Sequence, residues 1–135
     1  GPSAQEQTIC EEVMRLSRVK PMNELGDDPR RLMYLIDGAA VVISPDTGPL
    51  HIARALEVPV VSLFGYTNPK RSGPYKKYQD LVVDGYARYP GENYPISMEY
   101  QPEGMQRITL EMVLEKFELA IRKYVEAQRS RLSVP

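Results

Sequence analysis

The stretch from Ala39 to Phe64 constrains this chain more than any other. Ala39-Ala40-Val41-Val42-Ile43 is a continuous apolar run, too short for a helix and β-branched toward its end, which predicts a strand covered on both faces in a parallel sheet. Pro49 to Leu56 reads as a helix, and Val58-Pro59-Val60-Val61-Ser62-Leu63-Phe64 as a second strand that Gly65 stops. Strand, helix and strand within about 25 residues form a βαβ unit, which puts the chain in the α/β class. Leu81-Val82-Val83 offers a third short strand.

Helical patterns flank this unit. From Gln5 to Arg18 the apolar residues Ile9, Val13 and Leu16 recur at the spacing of one helix face. Val19 to Leu25, interrupted by Pro21, reads as an edge strand or only a connector. Asp28-Pro29 supplies a cap and a first-turn proline for a second helix that ends at Gly38. Thr109 caps a last helix reaching about Gln128, with Val113, Phe117, Ala120, Ile121, Tyr124 and Val125 as its stripe. Between the second strand and that helix, residues 66 to 107 are rich in Tyr, Pro, Gly and Asn, a long irregular segment around the short third strand and of the kind that is often functional. The tyrosines there are expected mostly to pack the loop onto the sheet.

At 135 residues, the expectation is one domain over 1–135, with room for no second one. Seventeen Lys and Arg against eighteen Asp and Glu leave a net charge of -1, which supplies no general attraction to nucleic acid or anionic lipid. The single cysteine, Cys10, excludes an intrachain disulfide and a cysteine-based zinc site, so a reducing cytoplasm is the expected compartment. No apolar run approaches the roughly 20 residues that span a bilayer, and the first residues lack the layout of a signal peptide.

The chemistry concentrates in Ser44-Pro45-Asp46-Thr47-Gly48-Pro49-Leu50-His51, where the first strand gives way to a helix. In α/β sheets ligands bind beyond the carboxyl ends of the strands, where helix N-termini offer unpaired N–H groups and partial positive charge. A phosphate fits there. Gly48 lets a ligand come close to the backbone, Pro49 presets the first turn without wasting a donor, and Thr47 adds a hydroxyl. Asp46 reads either as the cap of the helix or as a ligand contact, and His51 on the first turn is equally open between ligand contact and a local role. A second cluster, Gly65-Tyr66-Thr67-Asn68-Pro69-Lys70-Arg71-Ser72, follows the next strand and opens on the same sheet edge. There Thr67 is a candidate donor and Lys70 and Arg71 are candidate cations for a diphosphate, the alternative being a solvated basic turn.

These residues resemble a family. Asp46-Thr47-Gly48-Pro49-Leu50-His51-Ile52-Ala53 followed by Pro59-Val60-Val61-Ser62-Leu63-Phe64-Gly65-Tyr66-Thr67-Asn68-Pro69 is similar to the nucleotide-binding C-terminal half of the lipopolysaccharide heptosyltransferases, glycosyltransferase family 9. Gly1-Pro2-Ser3-Ala4-Gln5-Glu6 looks like that family's Gly-Gly-Pro-x-x-x-Glu loop, which competes with reading Gly1 to Ser3 as the remnant of a cleaved tag. The segments Gly26 to Asp37 and Met105 to Val113 extend the likeness over nearly the whole chain. Asp27-Asp28 and Tyr66 depart from the family's usual residues.

The resemblance implies a Rossmann-like parallel sheet flanked by helices, the donor half of a GT-B glycosyltransferase, without the N-terminal acceptor domain. It implies a nucleotide-diphospho-sugar substrate such as ADP-heptose, with Thr47, Gly48 and His51 at the diphosphate or sugar and Glu6 a candidate for the ribose hydroxyls; Asp46 and Pro49 complete the candidate binding set of the first cluster. Transfer would be metal-independent and use no cofactor. The general base would come from the N-terminal half, so no catalytic residue is assigned and the chain by itself is expected to show no turnover. A glycan or lipid-linked acceptor implies a cytoplasmic protein touching the inner face of the cytoplasmic membrane. A non-catalytic nucleotide-sugar-binding module and a GT-B-fold UDP-sugar epimerase are the competing readings.

Overall fold

The computed structural model describes residues 3–132, so Gly1 and Pro2, on which the two readings of the N-terminus fall, lie outside the described residues. The chain divides into two compact units, Gly1–Leu32 and Met33–Pro135.

The larger unit is built on three parallel strands in the order β1-β2-β3: β1 Val42–Pro45, β2 Val60–Phe64 and β3 Val82–Asp84. Val42 stands opposite Val60, and Ser62 opposite Val82, so every rung is parallel and in register. Parallel neighbours need crossovers. Helix α3, Gly48–Ala55, makes the first one, while the short helix α4, Pro69–Ser72, and a 3₁₀ turn at Gln79–Leu81 lie on the second. This is the α/β, Rossmann-like arrangement expected from the sequence.

The strands differ from expectation in one respect. The first begins at Val42 rather than Ala39, because the Ala39 N–H is still spent on the carbonyl of Ile36 and the ladder opens with Val42 N–H donating to Pro59. It is also not covered on both faces. Among the described residues β1 pairs only with β2, and Ile43 is 49% exposed. The central strand is the one that matches a doubly covered run, with Val60, Val61, Ser62 and Phe64 buried. Leu50 and Ala53 of α3, Leu81, Val83 and Ala120 complete the core around it. Each large side chain so buried contributes about 1.5–3 kcal/mol of transfer free energy.

The last helix starts where Thr109 predicts, its hydroxyl accepting from Met112 N–H at 3.3 Å. It is not regular throughout. Helix α5, Leu110–Ala120, passes into a π-helical stretch, Ile121–Glu126, before α6, Ala127–Leu132. The widened turn coincides with Lys123 and Tyr124, neighbours in sequence, both reaching Asp80: Nζ at 2.7 Å and the phenol oxygen at 2.8 Å. Burial pushes the Asp80 carboxyl up, but these two hydrogen bonds and the Lys123 charge outweigh it and hold it below the usual carboxylate range.

The segment from 66 to 107 carries little regular structure, yet it is tied down at many points. Asn68, 1% exposed, donates to the Pro95 carbonyl at 2.9 Å and caps α4 by accepting from Lys70 N–H. Arg107 donates through one nitrogen to the carbonyls of Gly85 and Tyr86 and to Gln101. Tyr78, Tyr86 and Tyr94 are buried with their hydroxyls on Glu57, Glu99 and Asp84 respectively. Burial and the bond to Asp84 push the Tyr94 phenol far up, so it stays a neutral donor. These three pack the loop, but Tyr66, Tyr75, Tyr89 and Tyr100 remain exposed, so fewer than half of the tyrosines do what was expected of most of them.

In the smaller unit, α1 covers Ala4–Leu16 and opens with a capping box in which Ser3 Oγ accepts from Glu6 N–H and Glu6 accepts from Ser3 N–H. None of its residues is buried. Val19 to Leu25 forms no strand, which leaves the connector reading of the sequence. The two units divide inside α2, Pro29–Asp37, capped by Asp28 through Arg30 N–H at 3.0 Å.

Candidate functional site

The carboxyl ends of β1 and β2 lie side by side, since Pro45 pairs with Leu63. Two strand-to-helix turns therefore leave the sheet at the same edge, the place where open α/β sheets bind ligands.

The turn after β1 is open. Thr47 takes the N-cap position of α3 in an extended conformation, but its side chain does not cap the helix. Its hydroxyl sits 3.3 Å from Ser44 Oγ instead. A Cβ built on Gly48 would meet nothing within 4 Å, so the protein's own packing does not demand glycine there. Free space beside an uncapped helix start is what an incoming anion requires. Pro49 occupies the first turn, where its missing N–H loses no bond.

Asp46 is not the helix cap that one reading of the sequence made it. Its carboxylate, 13% exposed, points across to the second turn: Oδ2 accepts from Thr67 Oγ1 at 2.8 Å and from Ser72 Oγ at 2.9 Å. His51 Nε2 lies 3.2 Å from the other oxygen, Oδ1. Position 46 cannot both turn its carboxylate back onto the first N–H groups of α3 and receive two hydroxyls from a chain segment more than twenty residues later. The second arrangement satisfies three donors at once. It clasps the two turns together and leaves the helix start free.

The structure thus brings Asp46, Thr67 and His51 into one network, with Thr47, Gly48 and Pro49 beside it. It does not bring in Lys70. The Lys70 ammonium donates to the Tyr94 carbonyl at 2.6 Å and stands 4.4 Å above the Tyr94 ring, so it anchors the irregular segment. Arg71 is exposed, and its side chain has no hydrogen bond or ion pair among the described residues. Glu6 belongs to the smaller unit, where it serves the α1 capping box. Ser72 is the participant that sequence reasoning did not single out. A serine in a Lys-Arg-Ser-Gly turn carries no signal until the fold sets it against Asp46.

The second turn is closed where the first is open. A Cβ on Gly65 would fall 2.3 Å from Met105 N, and one on Gly104 would fall 1.7 Å from the Gly65 carbonyl oxygen. Two backbones cross here at a distance only paired glycines allow. The crossing brings the 3₁₀ turn Gly104–Arg107 against the end of β2.

A parallel sheet with an uncapped helix N-terminus and a hydroxyl-bound carboxylate at its carboxyl edge defines a Rossmann-like α/β domain. Comparison with known proteins agrees. The chain belongs to glycosyltransferase family 9 (heptosyltransferase), whose family model matches residues 1–99. It is 37% identical over 83 residues to the lipopolysaccharide core heptosyltransferase OpsX of Haemophilus influenzae, a match covering 61% of this chain and 24% of that protein. Over 70 residues it is 41% identical to lipopolysaccharide heptosyltransferase 3 of Escherichia coli, covering 50% of this chain and 20% of the relative. A 45-residue stretch is 47% identical to lipopolysaccharide heptosyltransferase 1 of Pseudomonas aeruginosa, 33% of this chain and 13% of the relative. The chain therefore matches about a quarter or less of the length of these relatives. No solved structure matches it. Among the described residues no helix is long and apolar enough to cross a membrane.

Proposed function

We propose that this chain is the donor-binding part of an inverting glycosyltransferase that moves heptose from ADP-heptose onto lipopolysaccharide or a related surface glycan, working in the cytoplasm at the inner face of the membrane. The observation that carries this reading is the open space at Gly48 beside an α3 N-terminus that no side chain caps. It lies within the span that matches the family.

In the proposed reaction an acceptor hydroxyl attacks the anomeric carbon of the donor sugar, the bond to the nucleotide diphosphate breaks, and the diphosphate leaves with the electron pair. The charge that develops on it is met by the positive end of α3, by the Thr47 hydroxyl and backbone, and by Arg71, a cation with no internal partner among the described residues. Asp46 would repel a phosphate placed against it, but its carboxylate is turned onto Thr67, Ser72 and His51 rather than onto the first N–H groups of α3. It positions the groups that meet the ligand and can accept from a sugar hydroxyl. The base that takes the acceptor's proton is assigned to no residue of this chain.

Calorimetric titration with ADP, UDP and ADP-heptose tests the reading. Saturable ADP-heptose binding that weakens at least tenfold in Thr47→Ala and in Gly48→Val supports it, since about 1.4 kcal/mol of lost contact is a factor of ten. A folded chain that binds none of the three would overturn it.

A further inference from the structure

Tyr66 and Tyr100 lie face to face, with ring centroids 4.7 Å apart and planes 10° from parallel. We propose that this pair is a platform on which a saccharide ring of the substrate lies. The inference rests on the donor-binding reading and names a part of that site which the cradle at Thr47 and Gly48 does not supply.

Three observations carry it. The pair is not consumed by the core. Tyr66 is 48% exposed and Tyr100 50%, and neither hydroxyl has a partner among the described residues, unlike those of Tyr78, Tyr86 and Tyr94. Cations stand over the rings of Tyr75 and Tyr94 but, among the described residues, over neither of these two. Each ring covers one face of the other, and an outer face is left for something else.

The pair is also held in place. Gln101, buried and bonded through its side chain to Arg107, donates its backbone N–H to the Tyr66 carbonyl at 3.0 Å. One residue away on either side, the Gly65–Gly104 crossing and the Asp46–Thr67 bond fix the backbone. A platform ordered before the ligand arrives loses little entropy on binding, and Tyr, with two side-chain torsions, is suited to the task.

Its surroundings select the ligand. Tyr66 leaves the carboxyl end of β2 at the ligand edge of the sheet, and the next residue, Thr67, belongs to the network of Asp46, Ser72 and His51. Carboxylate and hydroxyl groups are partners for the hydroxyls of a sugar, whose C–H face is apolar enough to lie on an aromatic ring.

The test follows the ring protons of Tyr66 and Tyr100 by NMR in the 135-residue chain, titrated separately with ADP-heptose and with ADP. Both rings should shift with ADP-heptose and stay in place with ADP. Tyr66→Ala should weaken ADP-heptose binding about tenfold and leave ADP binding unchanged, while Tyr66→Phe, which keeps the face, should bind as the parent does. If Tyr66→Ala does not fold, Tyr100→Ala gives the same comparison from the other ring. Equal ring shifts with ADP would make the pair a base platform and overturn the sugar assignment. Shifts at Thr47 and Gly48 without any at the rings would overturn the platform and keep the donor-binding reading. No shift anywhere with either probe would overturn both.

Discussion

Two turns leave neighbouring strands at one edge of the sheet, each carries a glycine, and the glycines do opposite things. At Gly48 there is room on the outside and no protein neighbour; at Gly65 there is no room at all, because Gly104 passes against it. The first absence of a side chain leaves space for a ligand, and the second lets two segments of the same chain touch. A glycine after a strand is therefore no evidence of a phosphate site until the neighbouring backbone is known.

The largest expected effect comes from breaking the closed turn. Gly104→Ala places a methyl group 1.7 Å from a carbonyl oxygen that cannot move without displacing β2, so it should destabilise the larger unit by about 3 kcal/mol or more. Circular dichroism during heating would read this, and a melting curve like the parent's would show that the crossing is soft. Gly48→Ala is the matched control. With nothing within 4 Å, its stability should stay within about 1 kcal/mol of the parent.

Next in size is the clasp between the turns. Asp46→Ala strands two hydroxyls and an imidazole, and should cost about 1–3 kcal/mol in a denaturant melt. ADP-heptose binding should fall with it if the clasp positions the ligand groups. Unchanged stability together with unchanged binding would show that the two turns hold their places independently.

A smaller effect lies on the helix side of the sheet, at Asp80. Its carboxyl is held below its unfolded value, so the contribution is present above the unfolded pKa of about 3.9 and is lost as pH falls through the lower folded value. Asp80→Asn should thus destabilise at pH 7 by under about 1 kcal/mol, because the pair with Lys123 is partly exposed, and the difference should vanish near the acid limit. It should leave ligand binding at both turns unaltered.

The smallest expected change is at Ser62 in the central strand. Its hydroxyl is buried with no partner among the described residues, so Ser62→Ala should leave stability unchanged or raise it by up to about 1 kcal/mol in the same melt.

Much of this arrangement could be read from residue order. The βαβ unit, the capped starts of α2 and α5, and the placing of Thr47, Gly48 and Pro49 at a helix N-terminus all follow from local preferences. Apolar periodicity, proline at the first turn and a hydroxyl cap act within a few residues of themselves. Even the family was apparent, because the run from Asp46 to Ala53 and the turn after Phe64 keep their order.

Other features depended on partners far away along the chain. Asp46 as a clasp needed Thr67 and Ser72, Lys70 as an anchor needed Tyr94, and the central place of β2 among the described strands needed the strand order. The π-helical turn after Ala120 likewise goes with Asp80, some forty residues earlier. A carboxylate, an ammonium or a glycine has the same local preferences whichever partner it finds. Local chemistry therefore determined where the elements and the cradle begin, and tertiary packing alone decided which polar groups were consumed within the protein and which were left free for a ligand.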